Sequence, residues 1–291
     1  MNPRRNFLKQ AGLLSALSLM QPEALFARPA KLKVGLQLYT LRETIGQDVK
    51  SVLAKVARAG YGEVETFGYS PENHFWGLTP KDFKAALTAN GLTTSSGHYE
   101  MNSFVRDGKA EALTAYLEAA QVCGQTYIVV PHLGEELRQT PEDCHRIAQR
   151  LNQAGALCKA AGLKLAYHNH DFEFKPVGGT VLYDVLLQET DPTLVDFELD
   201  LYWVVRAGQD AQKLFEAHPG RFPLWHVKDM DRAQPKLNTE VGSGSIDFKK
   251  LFQHAPTAGL KHLFVEQENF SMDAYQSITQ SADYIKNKLL S

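Results

Sequence analysis

Ionisable side chains recur along this chain, each just after a short apolar run: Glu65, His98, His132, His168 with His170, Glu198 with Asp200, His226 with Lys228, and Glu266. Carboxylates and imidazoles with no thiolate among them make a mixed oxygen and nitrogen donor set. Such a set suits a divalent ion such as Mn²⁺, Mg²⁺, Co²⁺ or Zn²⁺. Any one of these residues alone has an ordinary reading, a hydrogen-bonded structural histidine or a carboxylate capping the next helix. Seven runs ending this way need more, because charged groups beside apolar strands are costly unless they pair or bind something.

The runs read as strands: Lys33 to Tyr39, Glu63 to Phe67, Thr93 to His98, Tyr127 to Pro131, Lys164 to His170, Leu194 to Asp200, Leu224 to Lys228 and His262 to Glu266. Between them, sets such as Val49, Val52, Leu53, Val56 and Leu113, Tyr116, Leu117, Ala120 have helical spacing. Five of the helical stretches stop at a glycine, Gly60, Gly91, Gly124, Gly162 or Gly259, and the next strand follows within a few residues. Eight β-then-α units predict an α/β fold, a (β/α)₈ TIM barrel over residues 31–291. The first strand is followed by Gln37-Leu38-Tyr39-Thr40-Leu41-Arg42. No Gly-rich phosphate turn of the open doubly wound type stands there.

In such a barrel the strand C-termini share one mouth, so the ionisable residues converge. Strand alternation places His168 and His170 on one face and Asn169 on the other. Glu198 and Asp200 also share a face, Asp200 nearer the open end. Asp200 is therefore expected as a ligand, with Glu198 deeper.

Residues 1–30 have another character. Arg4-Arg5-Asn6-Phe7-Leu8-Lys9, the apolar run Ala11 to Met20 and the small-residue stretch to Ala30 resemble a twin-arginine export signal. A periplasmic location is expected, with no stable membrane span, since the apolar run is shorter than the ~20 residues a bilayer needs. With 31 basic and 33 acidic side chains the net charge is −2. That gives no bulk attraction to nucleic acid, and the expected partner is a small molecule. Homo-oligomerisation is left open. The three cysteines, Cys123, Cys144 and Cys158, read as buried thiols in helices.

Across the barrel the chain resembles the xylose-isomerase-like sugar isomerase/epimerase family. The resemblance rests on Phe197-Glu198-Leu199-Asp200-Leu201-Tyr202-Trp203, His226-Val227-Lys228-Asp229 and Phe264-Val265-Glu266. It implies a divalent metal held by His168, Asp200, His226 and Glu266, and proton abstraction beside the carbonyl of a keto-sugar. Where the epimerases carry Glu-Pro on strand five, this chain has His168-Asn169-His170, similar to inosose dehydratases. One of the two glutamate proton carriers of the epimerases is thus replaced. Glu266 and His170 are the expected proton carriers, with His98 and Glu65 as alternates. Lys228 is expected at a substrate oxygen, or else paired with Asp229 or Asp200, and Trp203 against the sugar face. Isomerisation or epimerisation is the first expectation, and elimination from a 3-keto-glycoside or inosose-like substrate the alternative. An endonuclease IV-like nuclease and a metal-free sugar-binding barrel are the remaining readings. Val241-Gly242-Ser243-Gly244-Ser245 is the one candidate phosphate turn, and it reads equally well as a loop leading to a helix capped by Asp247.

Overall fold

The computed structural model describes residues 32–291; the expected export signal lies outside them. Eight parallel strands close into a barrel: β1 Val34–Gln37, β2 Glu63–Thr66, β3 Thr93–His98, β4 Tyr127–Val130, β5 Lys164–His168, β6 Val195–Asp200, β7 Leu224–Val227 and β8 His262–Val265. Neighbours in sequence are neighbours in the sheet, and β8 returns to β1 through Val34 opposite Leu263, Gly35 opposite Phe264 and Leu36 opposite Val265. The expected (β/α)₈ barrel is the fold present.

Helices α1 Val49–Arg58, α2 Pro80–Ala89, α3 Glu111–Cys123, α4 Pro141–Ala160, α5 Leu182–Glu189, α6 Ala211–Ala217, α7 Phe248–Phe252 and α8 Ala274–Tyr284 fill the crossovers. Their starts are written in the sequence. Thr140 and Asp143 form a reciprocal capping box at α4, and Thr79 accepts the Asp82 N–H at α2. The stripe Val49, Val52, Leu53, Val56 packs inward as its spacing requires. Each such side chain contributes about 1.5–3 kcal/mol on burial. Cys123, Cys144 and Cys158 are free, buried thiols in α3 and α4. Among the described residues no helix is long and apolar enough to cross a membrane.

Inside the barrel, alternate residues of the strands pack two kinds of layer. Tyr127, Val129, Ala166, Leu224 and Phe264 make an apolar plug. Gly35 belongs here because a Cβ would collide with the Phe264 ring. Two residues further along each strand the interior turns polar: His168 follows Ala166, His226 follows Leu224 and Glu266 follows Phe264. The plug closes the barrel below that layer and confines ligand access to the strand C-termini.

Candidate active site

The polar layer has two levels. In the lower one, Glu65 and Glu198 are fully buried. Oε2 of Glu198 lies 2.8 Å from Nε2 of His98, 3.1 Å from Nδ1 of His168 and 3.2 Å from Nε2 of His226. Oε2 of Glu65 lies 2.7 Å from Nε2 of His226 and 3.2 Å from Nε2 of His98, and it accepts a hydrogen bond from the Gln37 amide at 2.8 Å. The Ser96 hydroxyl donates to its other oxygen at 2.6 Å. These are hydrogen-bond separations.

The upper level is looser. Oδ2 of Asp200 stands 3.9 Å from Nε2 of His168 and 3.9 Å from Nδ1 of His226, and Oε2 of Glu266 is 3.2 Å from the same His226 nitrogen. Asp200 is the last residue of β6, and its Oδ1 accepts the Trp203 N–H at 3.0 Å, capping the short helix Leu201–Arg206. Its Oδ2 is buried and has no hydrogen-bond partner among the described residues. An orphaned carboxylate oxygen facing two imidazole nitrogens and a second carboxylate is a donor set that suits a cation. Asp200, His226 and Glu266 form one group with metal-ligand spacing, and His98, His168, Glu198 and His226 form another, with His226 common to both. By donor type and spacing Asp200, His226 and Glu266 fit a divalent ion at the upper level, and Nε2 of His168 is 3.9 Å from Asp200 on the same side.

Electrostatics agree with that fit. Burial pushes the Asp200 carboxyl up to about 6, against the pull of Lys228 and His226. Burial and the neighbouring Glu65 push Glu198 up to about 7. Glu65 and Glu266 resist the same burial: His98 and His226 hold Glu65 well below the usual range, and Lys228 with His226 does so for Glu266. His98, despite burial, is raised to about 9 by Glu65 and Glu198. His98, the likewise raised His226 and Lys228 already compensate Glu65 and Glu266, and burial leaves Asp200 and Glu198 as the carboxyls that are pushed up.

Above this layer opens a cavity of about 390 Å³. That lies within the range of small-molecule sites. Its wall includes His98, His168, His170, Trp203, Glu266 and Glu268. His170 is stacked on Phe172 with ring centroids 5.8 Å apart and has Trp203 at 5.2 Å. Its backbone N–H donates to Glu173 at 2.8 Å, which fixes the turn after β5. Burial, with His132 nearby, lowers His170 to about 3, so its imidazole is neutral.

The structure thus brings His168, Asp200, His226 and Glu266 together, with His170 and Trp203 on the cavity wall. Three other expected residues make buried contacts of their own. Glu65 lies beneath the cavity rather than on its wall, bound to Gln37, Ser96 and His226. His98 reaches the wall, but its Nε2 is committed to Glu65 and Glu198. Lys228 is buried off the wall, bonded to Glu266 at 3.2 Å and to Glu268, with the Tyr202 and Trp203 rings each 5.4 Å away. Neither Asp229 nor Asp200 is its partner. Asp229 instead accepts N–H groups from Met230, Gly242, Gly244 and Ile246 at 2.8–3.1 Å. The candidate phosphate turn is therefore filled by the chain's own carboxylate, and Asp247 caps α7.

Glu268 and His132 also line the cavity, although the sequence assigned neither a specific role, His132 being only one of the ionisable strand ends. The signal was present for Glu268, since strand parity puts it on the same face as Glu266.

The model of the xylose isomerase-like TIM barrel family matches residues 53–288. The chain belongs to this family. Among its relatives, an inosose dehydratase of Geobacillus thermodenitrificans is 25% identical over 268 residues, covering 80% of this chain and 87% of that protein. An inosose dehydratase of Salmonella typhimurium is 27% identical over 239 residues, 70% of this chain and 76% of that one. A family structure described as a sugar phosphate isomerase/epimerase from Parabacteroides distasonis is 30% identical, covers 92% of this chain and 98% of its own, and superposes with a TM-score of 0.75. A probable 3-DHS dehydratase from Bacillus anthracis, 13% identical with a TM-score of 0.70, shares the fold.

Proposed function

We infer that this chain is a divalent-metal-dependent enzyme that removes the proton beside the carbonyl of a neutral keto-sugar and then expels a leaving group from the β carbon. The observation that carries this is the convergence of Asp200, His168, His226 and Glu266 beneath a wall bearing the neutral imidazole of His170. When bound, a divalent ion supplies Lewis-acid polarisation of a carbonyl oxygen. His170 is the base: its neutral ring takes the proton from the carbon, the C–H electrons pass into the adjacent carbonyl as an enolate, and they return to form a C=C bond when the C–O bond to the leaving group breaks. The oxygen departs as water or an alcohol after receiving a proton, so the elements lost are those of the leaving group and one hydrogen. Trp203 packs against the sugar face.

Two features argue for elimination over two-glutamate epimerisation. His168 stands where the second metal-facing carboxylate would be, and several relatives are inosose dehydratases. Isomerisation or epimerisation is the second reading, favoured by the 30% identical sugar phosphate isomerase/epimerase.

Charge on the wall supports a substrate without phosphate. Glu100, Glu266 and Glu268 face the cavity, and among the described residues no lysine or arginine does. The paired charges also argue against a nuclease, which needs a basic surface for its substrate. Export to the periplasm by the twin-arginine route is proposed from the leader motif alone.

Incubation with Mn²⁺ and a 3-keto-glycoside in D₂O tests the chemistry. Released aglycone and an unsaturated keto-sugar are expected. Deuterium uptake into intact glycoside would replace elimination with epimerisation, and no reaction on any keto-sugar with metal present would overturn both.

A further inference from the structure

Two carboxylates that never reach the cavity face the inner nitrogens of two cation-facing imidazoles. His168 presents Nδ1 to Glu198 at 3.1 Å and Nε2 to Asp200 at 3.9 Å. His226 is turned the other way, with Nε2 toward Glu65 at 2.7 Å and Nδ1 toward Glu266 at 3.2 Å and Asp200 at 3.9 Å. Each ring spans the lower level and the upper one. A neutral imidazole has one N–H and one lone pair, and the hydrogen bond made by one nitrogen decides which is which.

We propose that Glu198 and Glu65 are positioning residues that hold His168 and His226 in opposite tautomers, Nδ1–H in His168 and Nε2–H in His226. The cation is then taken by Nε2 of the first ring and Nδ1 of the second. This inference rests on the cation reading of the site and goes beyond it by assigning which nitrogens bind and what sets them.

The lower level is built to do this. Glu65 is braced by the Gln37 amide on one oxygen and the Ser96 hydroxyl on the other, so its carboxylate has little freedom to turn. Glu198 is braced by His98, whose Nε2 lies 2.8 Å away and also 3.2 Å from Glu65. An outer carboxylate behind a metal-binding histidine fixes the ring and raises its basicity, and its loss typically costs about 10–100-fold in metal affinity. Here one buried layer serves two histidines, and it tethers their rings from opposite nitrogens.

The test uses the full chain, stripped of metal, reloaded with Zn²⁺ and labelled with ¹⁵N-histidine. Two-bond proton–nitrogen spectra, with signals assigned through His168→Asn and His226→Asn, read each tautomer directly. Protonated Nδ1 in His168 and protonated Nε2 in His226 are expected; both rings protonated on the same type of nitrogen would overturn the proposal. Co²⁺ titration followed by visible absorption gives a second readout. Glu198→Gln and Glu65→Gln are expected to bind about 10–100-fold more weakly than the unaltered chain, with unchanged far-UV circular dichroism. Unchanged Co²⁺ affinity in both variants would defeat this inference while leaving the cation site standing. Failure of the unaltered chain to bind Zn²⁺ or Co²⁺ would remove the cation site and this inference together.

Discussion

Oδ2 of Asp200 stands 3.9 Å from Nε2 of His168, beyond hydrogen-bond reach and yet sealed from water. In the lower level the corresponding separations are 2.7–3.2 Å. The lower level is closed by hydrogen bonds; in the upper one Glu266 still bonds His226 at 3.2 Å, and Oδ2 of Asp200 is left without a partner among the described residues. Asp200→Asn is expected to lower Mn²⁺ affinity by more than about 100-fold, beyond what loss of an outer partner costs. Calorimetric titration of the stripped variant measures this.

Without metal the same substitution should stabilise the protein above about pH 6. The Asp200 carboxyl is raised by burial to about 6 from an ordinary 3.8. A raised acid contributes stability below its unfolded value and loses it as pH rises through the folded one. Metal-free Asp200→Asn lacks that penalty, so its Tm at pH 8 should equal or exceed that of the metal-free parent. A variant Tm several degrees lower would contradict this account of Asp200.

Chelation should destabilise the fold and abolish turnover. A ligand present at 1,000 times its Kd adds about 4 kcal/mol to the native state. At roughly 2–4 °C per kcal/mol in a chain of this size, thermal denaturation with and without chelator should differ by about 8–16 °C. Equal melting temperatures with complete metal removal would count against a tightly held ion.

His170→Asn should leave metal content and folding intact while reducing kcat by about 10²–10⁴, the range for loss of a positioned acid or base. Since burial lowers the parent imidazole to about 3, no acid limb from His170 is expected between pH 5 and 8. A pH–rate profile and metal analysis on the same preparations check both points.

Trp203→Ala should act mainly on KM. Aromatic contacts of this kind are worth about 0.5–1.5 kcal/mol, which is roughly a 2- to 10-fold rise. Steady-state kinetics with a glycoside series would show it, and an unchanged KM would place Trp203 in packing alone.

Much of the architecture was legible because each strand and helix carried its own local signal. The five helix-ending glycines all adopt positive φ, from 67 to 96°. Several strands end a residue or two earlier than the apolar runs implied, and the reasons are chemical. The N–H of His170 goes to Glu173 instead of the ladder, and Pro131 has no N–H to give. Convergence of His168, Asp200, His226 and Glu266 followed from parity and the shared mouth. The depth of Glu65 and Lys228, and the contacts of His98 with Glu65 and Glu198, did not, because parity gives a face but neither a depth nor a partner. Their partners lie as far as 161 residues away in sequence, as His226 does from Glu65. No local pattern announces such pairs.

The Asp229 carboxylate has a consequence for how this barrel could change its diet. By filling the glycine turn between β7 and β8 it does internally what a phosphorylated metabolite would do from outside. An added surface lysine would not be enough to recruit such a metabolite there. The resident anion would first have to be evicted, and the Gly242 and Gly244 amides it now satisfies would lose their partner until a guest arrived.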